Sequence, residues 1–583
     1  MTEAVTEQGT LAIPEAEHRI DPTPLDLVDQ AVATLEANRK AWVQTTVDDR
    51  IALLDELLTT TLAAAPAWTT AAAVAKGIDR DSPLMGEDWI SGPSVTLRNL
   101  RLLKETLEEV RDHGAPQVEF VTRPNGQVAA KVFPSGLLDQ AMFPGFRAEV
   151  WLEPGVTLEE ARASTARIHR PGGKDDGGVA LVLGAGNVSS IAPMDVLYKL
   201  FVEDRVCVLK MNPVNEHLGP HLAAALAPLV ERDLLRLVYG GAEVGAHLSS
   251  HPQVDEIHIT GSDKTHDAIV FGPGPEGRER KARGERINDK PISSELGNVS
   301  PVIVVPGPWS DADVRFQADN LTSMLVQNAG FNCIAARVFV THASWARRRP
   351  LLDAIRDSLR AAEPRVPYYP GAVDRWRTFV EAHPQAEWFG PEGEDRVPFT
   401  FIPGLDPHDT DDVAFTTEAF CGVVGEAPLD APRSVPEYIA RAVEFCNDTL
   451  WGTLSASIVV HPASLRDPAI AQAVDRAIED LRYGSVVVNH WSAVPYGLVS
   501  TTWGAYPGHT DTDIQSGRGV VHNTKMLERP QKSVVWGPFR TPTTPVWFHT
   551  NRTLHRLGPV LAEFEATQDL RLLPRLLWHA ARG

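Results

Sequence analysis

From Gly177 onward the chain alternates short, unbroken apolar runs with helical stretches, and this alternation constrains its fold more than any other feature. The runs are Gly178–Leu183 and residues 206–209, 235–239 and 256–259, with helical patterns over 194–201 and 217–232 between them. Continuous Val/Leu/Ile strands are buried on both faces, which calls for a parallel sheet covered by helices on each side. A second alternation starts at residues 301–305 and runs to about Asn489. The expected fold class is α/β, with a nucleotide-binding parallel-sheet domain followed by a second α/β domain.

At roughly 150 residues per domain, 583 residues make two to four domains with sizeable cores. Residues 1–23 are expected to be mobile, and 24–114 read as helices. Leu25, Val28, Ala31, Val32 and Leu35 recur at helical spacing, as do Leu100, Leu103, Leu107 and Val110. Residues 118–133 predict a hairpin around Asn125-Gly126. The Gly-, Pro- and charge-rich residues 272–281 predict a surface loop. Beyond Thr550, two helical pieces (561–573 and 575–581) are expected to dock on the protein's own surface, with an oligomer or membrane-surface contact as the alternative.

With 55 Lys+Arg against 76 Asp+Glu, the net charge is −21. Such a field repels phosphate backbones and anionic lipid heads, so neither nucleic acid nor a membrane is expected as the main partner. Cys207, Cys333, Cys421 and Cys446 are too few for a disulfide framework and lack CxxC spacing, so no metal site is expected. The first twenty residues are acidic and have no apolar core of a leader, and no apolar run reaches membrane-spanning length. A reducing cytoplasm is the expected location.

Chemistry concentrates in Ser294-Glu295-Leu296-Gly297-Asn298-Val299-Ser300-Pro301 and in residues 327–336, Gln-Asn-Ala-Gly-Phe-Asn-Cys-Ile-Ala-Ala. Singly these residues decide little, since a lone buried Cys is usually a small hydrophobe. Together they resemble the aldehyde dehydrogenase superfamily, whose patterns E-L-G-G-x-S-P and N-x-G-Q-x-C match both segments in order. Gly186-Asn187, Lys210, Thr260-Gly261-Ser262 and Glu418-Ala419-Phe420 match further family positions, as does the segment 447–456. The resemblance runs from about Gly177 to Asn523.

The resemblance implies an aldehyde dehydrogenase-like fold: a Rossmann-type cofactor domain (156–297, with a helical part at 24–116) and a catalytic domain (298–505). A β oligomerisation arm (117–155), a bridging segment (506–550) and a helical extension (551–583) complete it. It implies Cys333 as the nucleophile, a thiolate being the side chain most nucleophilic near neutral pH. Asn187 would hold the oxyanion, and Glu295 would activate the water that hydrolyses the thioester. Glu418 would bind the nicotinamide ribose and Lys210 the adenosine ribose. Gly261 and Ser262 would open a helix near the pyrophosphate, and Gly186, Leu296 and Phe420 complete the cofactor set. NAD is the expected cofactor and NADP the alternative.

Several departures matter. Leu183-Gly184-Ala185 precedes Gly186-Asn187 in place of an aromatic-rich segment, and His266 replaces a loop glycine. The acidic partner that the resemblance implies at the adenosine ribose is not placed by the sequence, and Glu216 and Asn215 are the candidates for its position. Gly297-Asn298-Val299 resembles a segment of CoA-acylating relatives, but Glu295 favours hydrolysis to the carboxylic acid. Transfer to CoA, reductive use of an acyl donor and an inactive scaffold stay open as alternatives. Phe331, Met324, Trp451 and Trp491 are candidates for a tunnel suited to an apolar or aryl aldehyde, with core packing as the other explanation. A homodimer or homotetramer is expected, with hairpin 118–133 and strand 532–536 extending a neighbour's sheet.

Overall fold

The computed structural model describes residues 8–173, 176–391, 396–431 and 434–583. Two sheets organise it. In the first, strands lie in the order Leu235–Val238, Arg205–Lys210, Gly178–Leu183, Glu256–Thr260, Ile292–Glu295, Gly517–Arg518, parallel except for the last. Val179, Ala180, Leu181 and Val182 are fully buried, as their unbroken run requires. From Gly178–Leu183 the chain lays two strands on one side and then crosses to the other. A crevice therefore opens at the carboxyl ends of Gly178–Leu183 and Glu256–Thr260, the switch point where open α/β sheets bind ligands.

The second sheet has eleven strands. Its parallel body runs from Phe399–Ile402 through Val423–Leu429, Ala336–His342, Ser300–Val304, Ser455–Val459 and Ser485–Val488 to Pro530–Trp536. Arg147–Leu152, Val128–Phe133 and Glu119–Thr122 continue it antiparallel. The hairpin forms around Asn125-Gly126, with Gly126 at φ +85°. Its inner strand joins this chain's own sheet, and Glu119–Thr122 stands at that sheet's edge. Val534 pairs with Val486 on one side and Glu149 on the other, so these strands complete this chain's own sheet and both edges of Pro530–Trp536 are consumed within the chain.

The N-terminal helices Leu25–Gln44, Val47–Ala75 and Val95–His113 pack around the first sheet. Thr46 caps the second, its hydroxyl accepting from the Asp49 N–H at 3.1 Å, and left-handed Gly114 closes the third. Val47–Ala75 has the length and apolarity of a membrane span. Core packing accounts for that composition: the helix lies against Val95–His113 and Gly219–Ala225, and its buried Arg50 pairs with Asp204 at 2.6 Å beneath Trp42.

Residues 272–281 are not a loop. Gly274–Arg283 is a helix, because Pro275 presets its first turn and left-handed Gly284 ends it. Glu276–Arg280 and Glu279–Arg283 pair one turn apart. The expected helix 217–232 is split into Gly219–Ala225 and Ala227–Glu231, with Pro228 opening the second piece. The C-terminal extension breaks at left-handed Gln568, giving Leu554–Thr567 and Leu573–Ala580. Leu554–Thr567 docks on the N-terminal helices through two close approaches, Gly558 on Trp89 and Gly86 on Leu554. Arg98 and Arg101 hold Glu565 at 3.0 and 2.7 Å.

Candidate active site

Cys333 follows the helix Asp311–Val326 and a tight turn, Gln327–Gly330, in which Asn328, Ala329 and Gly330 all take left-handed backbone angles. A Cβ at Gly330 would meet the Cys421 backbone at 2.7 Å, so only glycine fits there. The turn is pinned from several directions. Arg337 donates to the Gly330 and Asn332 carbonyls (2.8 and 3.3 Å), and the Trp491 indole donates to Ile334 O at 2.7 Å. The Asn328 amide bridges to Asn187 O (3.1 Å), and Tyr368 donates to both residues at 3.1 Å. Asn187 itself donates to Phe331 O at 3.0 Å.

The thiol of Cys333 lies 3.2 Å from Glu295 Oε1, to which it donates. Glu295 ends the strand Ile292–Glu295 and is almost wholly buried. Burial pushes its carboxyl up to about 7; the Asp195 charge adds to this, while the Trp503 indole, Cys333 and His258 oppose it. The Cys333 thiol is raised by burial and by the facing charges of Glu295 and Glu418. A thiol held neutral beside a carboxyl near 7 is a donor–acceptor pair poised for proton transfer.

Two cavities meet at this pair, and Asn187, Glu295 and Cys333 line both. The first, of about 490 Å³, lies at the switch-point crevice and brings together every residue assigned to cofactor binding: Gly186, Lys210, Gly261, Ser262, Leu296, Glu418 and Phe420. Gly186 allows close approach of the Asn212–Val214 turn, and Gly297 that of the Glu418 carboxylate. Ser262 caps the helix Asp263–Phe271. Burial raises Glu418 to about 7, partly offset by Arg337, and its Oε1 has no partner among the described residues. Burial lowers Lys210 to about 8, against the charges of Glu15 and Glu216. His266 turns wholly into the interior, leaving Thr265 and Ala268 as the wall of the crevice.

Residues 8–20, expected to be mobile, lie along this crevice. Gly9–Thr10 pairs with Thr417–Glu418, and Thr10 donates to the Asp263 carboxylate. Glu15 accepts from the Ala242 N–H at 3.1 Å. Glu216 is occupied by His18 and by the Arg19 and Ile20 N–H groups. Asn215 donates to Ala185 O. Neither Glu216 nor Asn215 lines the crevice, so neither candidate for the acidic partner faces it here.

The second cavity, of about 220 Å³, is lined mainly by apolar and aromatic side chains. Of the four tunnel candidates only Trp491 lines it. Met324, Phe331 and Trp451 are core residues; Phe331, for example, stacks on Tyr369 at 5.7 Å. Ile334 and Trp503, absent from that prediction, line it together with residues of the N-terminal and C-terminal helices. Asn298 likewise serves the fold, its amide donating to Ser300 Oγ and Ser455 O at 2.8 and 3.0 Å.

The chain is similar to known proteins in sequence over part of its length and in fold over most of it. The model of the aldehyde dehydrogenase family matches residues 177–365. N-succinylglutamate 5-semialdehyde dehydrogenase of Sphingopyxis alaskensis is 27% identical over 170 residues, 29% of this chain and 32% of that protein. Hydroxyisobutyraldehyde dehydrogenase of Mycolicibacterium austroafricanum is 26% identical over 322 residues, 51% of this chain and 56% of that one. The matches thus span about a third to a little over half of these relatives. Aldehyde dehydrogenase 21 of Physcomitrella patens, solved with succinate, shares the fold at TM-score 0.59 and 14% identity, over 91% of this chain and 95% of its own. A Mycobacterium tuberculosis aldehyde dehydrogenase solved with NAD+ does so at 0.56 and 17%, over 88% and 91%. The chain is thus similar to aldehyde dehydrogenases in sequence over residues 177–365 and shares the α/β fold of solved aldehyde dehydrogenases along most of its length.

Proposed function

We propose that the protein oxidises an aldehyde to the carboxylic acid with NAD, through a thiohemiacetal and a thioester on Cys333. The observation that carries this reading is the 3.2 Å thiol–carboxylate contact at the meeting point of two cavities. One cavity suits a dinucleotide. The unpartnered buried Oε1 of Glu418 fits a ribose hydroxyl, Lys210 lines the same crevice, and Gly261, at the start of the Ser262-capped helix, puts no side chain between the backbone and a phosphate. When bound there, the dinucleotide supplies the hydride acceptor that converts the adduct to a thioester.

The remaining steps belong to the chain. Glu295 takes the Cys333 proton as sulfur bonds to the carbonyl carbon, and the Asn187 amide turns from Phe331 O to the developing oxyanion. Glu295 passes that proton to solvent, then removes a proton from the water that attacks the thioester, and returns it to the Cys333 sulfur, which leaves as the thiol. The placement of Glu295 against Cys333, with Asn298 committed to the fold, supports hydrolysis over transfer to CoA. Aldehyde-dependent NADH formation is expected at full rate without CoA. An absolute requirement for CoA contradicts the hydrolytic reading.

The strap of residues 8–20 competes for the same crevice. Its Glu15 carboxylate occupies the N-terminal N–H of the helix Ala242–Ser250 near Lys210, where an anionic ligand would be stabilised. Deleting residues 1–20 is expected to lower the KM for NAD about tenfold, equivalent to about 1.4 kcal/mol of strap binding. Glu216, freed by the deletion, keeps the adenosine end acidic and disfavours a 2′-phosphate. NADH titration of the truncated and full-length proteins checks this, and weaker binding after truncation would show that the strap closes over the cofactor instead.

A further inference from the structure

We infer that the substrate is an uncharged, apolar aldehyde of aryl or medium-chain size, held in a cavity partly walled by the chain's own C-terminal helix. The inference rests on the oxidation reading, because it takes Cys333 as the atom that meets the carbonyl. Three features of the 220 Å³ cavity carry it: its walls, its charge and its size.

The walls include Val95, Ile191, Trp491, Val494, Leu498 and Leu561. A ligand that buries apolar surface against them gains free energy. A polar group set against these six side chains loses hydration without gaining a partner from them.

Charge selects further. The cavity's cationic wall residues are Lys76 and Arg98, and both are committed. Lys76 Nζ lies 2.6 Å from Asp88 Oδ1, while Arg98 bonds Glu565 at 3.0 Å and faces Asp139 at 3.5 Å. Of the wall carboxylates, Glu87 is held by both nitrogens of Arg365 at 2.9 Å, and Glu565 by two arginines. An anionic aldehyde would have to draw a cation from a buried partner and leave a carboxylate uncompensated. A cationic aldehyde meets Glu87 and Glu565 already neutralised, and the third wall carboxylate, Glu295, is engaged by the Cys333 thiol. A neutral body avoids both costs.

Size narrows the class. An apolar cavity of about 150 Å³ holds a benzene ring. This one therefore holds a ring with its carbonyl, or a chain of roughly six to eight carbons. The helix Leu554–Thr567 supplies Leu561 and Glu565 to the lining, and Glu565 is fastened by Arg98 and Arg101. Leu561 thereby gauges the space available, which gives the C-terminal extension a role in specificity.

The test measures kcat/KM with NAD for n-alkanals from butanal to decanal, for benzaldehyde and for succinate semialdehyde. Hexanal and benzaldehyde are expected to exceed succinate semialdehyde by at least about 100-fold. Leu561→Ala is expected to move the alkanal optimum to longer chains, and Leu561→Phe to shorter ones, so that one variant suffices if the other does not fold. Equal or better use of succinate semialdehyde, or an unchanged chain-length profile in the folded variants, overturns the inference. If no aldehyde is oxidised, the oxidation reading fails by itself, and the cavity is then tested with benzamide and succinamate. Saturable quenching of tryptophan fluorescence by benzamide and not by succinamate supports the apolar cavity, whereas no quenching, or quenching by succinamate alone, overturns it.

Discussion

Cys333→Ala is expected to lower aldehyde-dependent NADH formation by at least about 10⁴-fold in kcat while leaving the protein folded. The size of the effect follows from what the thiol alone can do. It is the cysteine at the junction of both cavities, whereas Cys207, Cys421 and Cys446 are buried in the two cores and line neither. No neighbouring nucleophile replaces it: Glu295 is buried and directed at the thiol, and Asn187 is an amide. The loss of one partly exposed sulfur leaves Arg337, Trp491 and Asn328 pinning the turn through backbone carbonyls, so the fold persists. Iodoacetamide should accordingly label one thiol in the native protein, with activity falling in step. Residual activity near wild type in Cys333→Ala would transfer the chemistry to another residue.

Glu295→Gln is expected to cost about 10²- to 10⁴-fold in kcat, the range of general acid–base catalysis. It also changes the pH profile. Because burial raises the carboxyl to about 7, the base form is lost as pH falls through 7, and wild-type kcat should drop about tenfold per unit below that value. Asp195, His258, Cys333 and Trp503 set this position, with Asp195 raising it and the other three lowering it. Gln cannot titrate, so the inflection near 7 should vanish from kcat in the variant. Glu418 also stands near 7, but it faces the cofactor crevice, and its titration should appear in the KM for NAD. An inflection in kcat that persists in Glu295→Gln would assign it to another group.

How much of this was legible in the sequence depends on the range of the interactions. The run Gly178–Leu183 is unbroken because both of its faces are buried, so its strand and its parallel neighbours could be read directly. Cys333 and Glu295 could be read because each sits in a patterned segment, and the fold brings those segments together at 3.2 Å. Arg337 was not legible. Within an apolar strand its guanidinium carries no periodic signal, and only the tertiary structure shows it bonded to the Gly330, Asn332 and Cys421 carbonyls. Glu87 and Tyr368, which reach Asn328 from distant segments, escaped for the same reason.

Misread elements follow a similar logic. Gly274–Arg283 carries the residues of a loop, yet Pro275 at its first turn and charge pairs one turn apart make a short helix. Strand propensity at 118–133 and 530–536 was readable, but the identity of the partner strand was not, since it depends on which edge lies within reach. The strap 8–20 has no periodicity of its own. Its order comes from the Asp263 and Glu216 carboxylates and from the edge of Thr417–Glu418, all more than two hundred residues or nearly so along the chain.

The most direct test of the central claim is the intact mass of Glu295→Gln after reaction with hexanal and NAD. With hydrolysis slowed, one acyl group should accumulate on Cys333, adding the mass of the aldehyde less two hydrogen atoms, and peptide mapping should place it there. It should be absent without NAD and absent in Cys333→Ala. An acyl group on another residue, or NADH formed with no acyl-enzyme even on rapid quenching, would contradict thioester chemistry at Cys333.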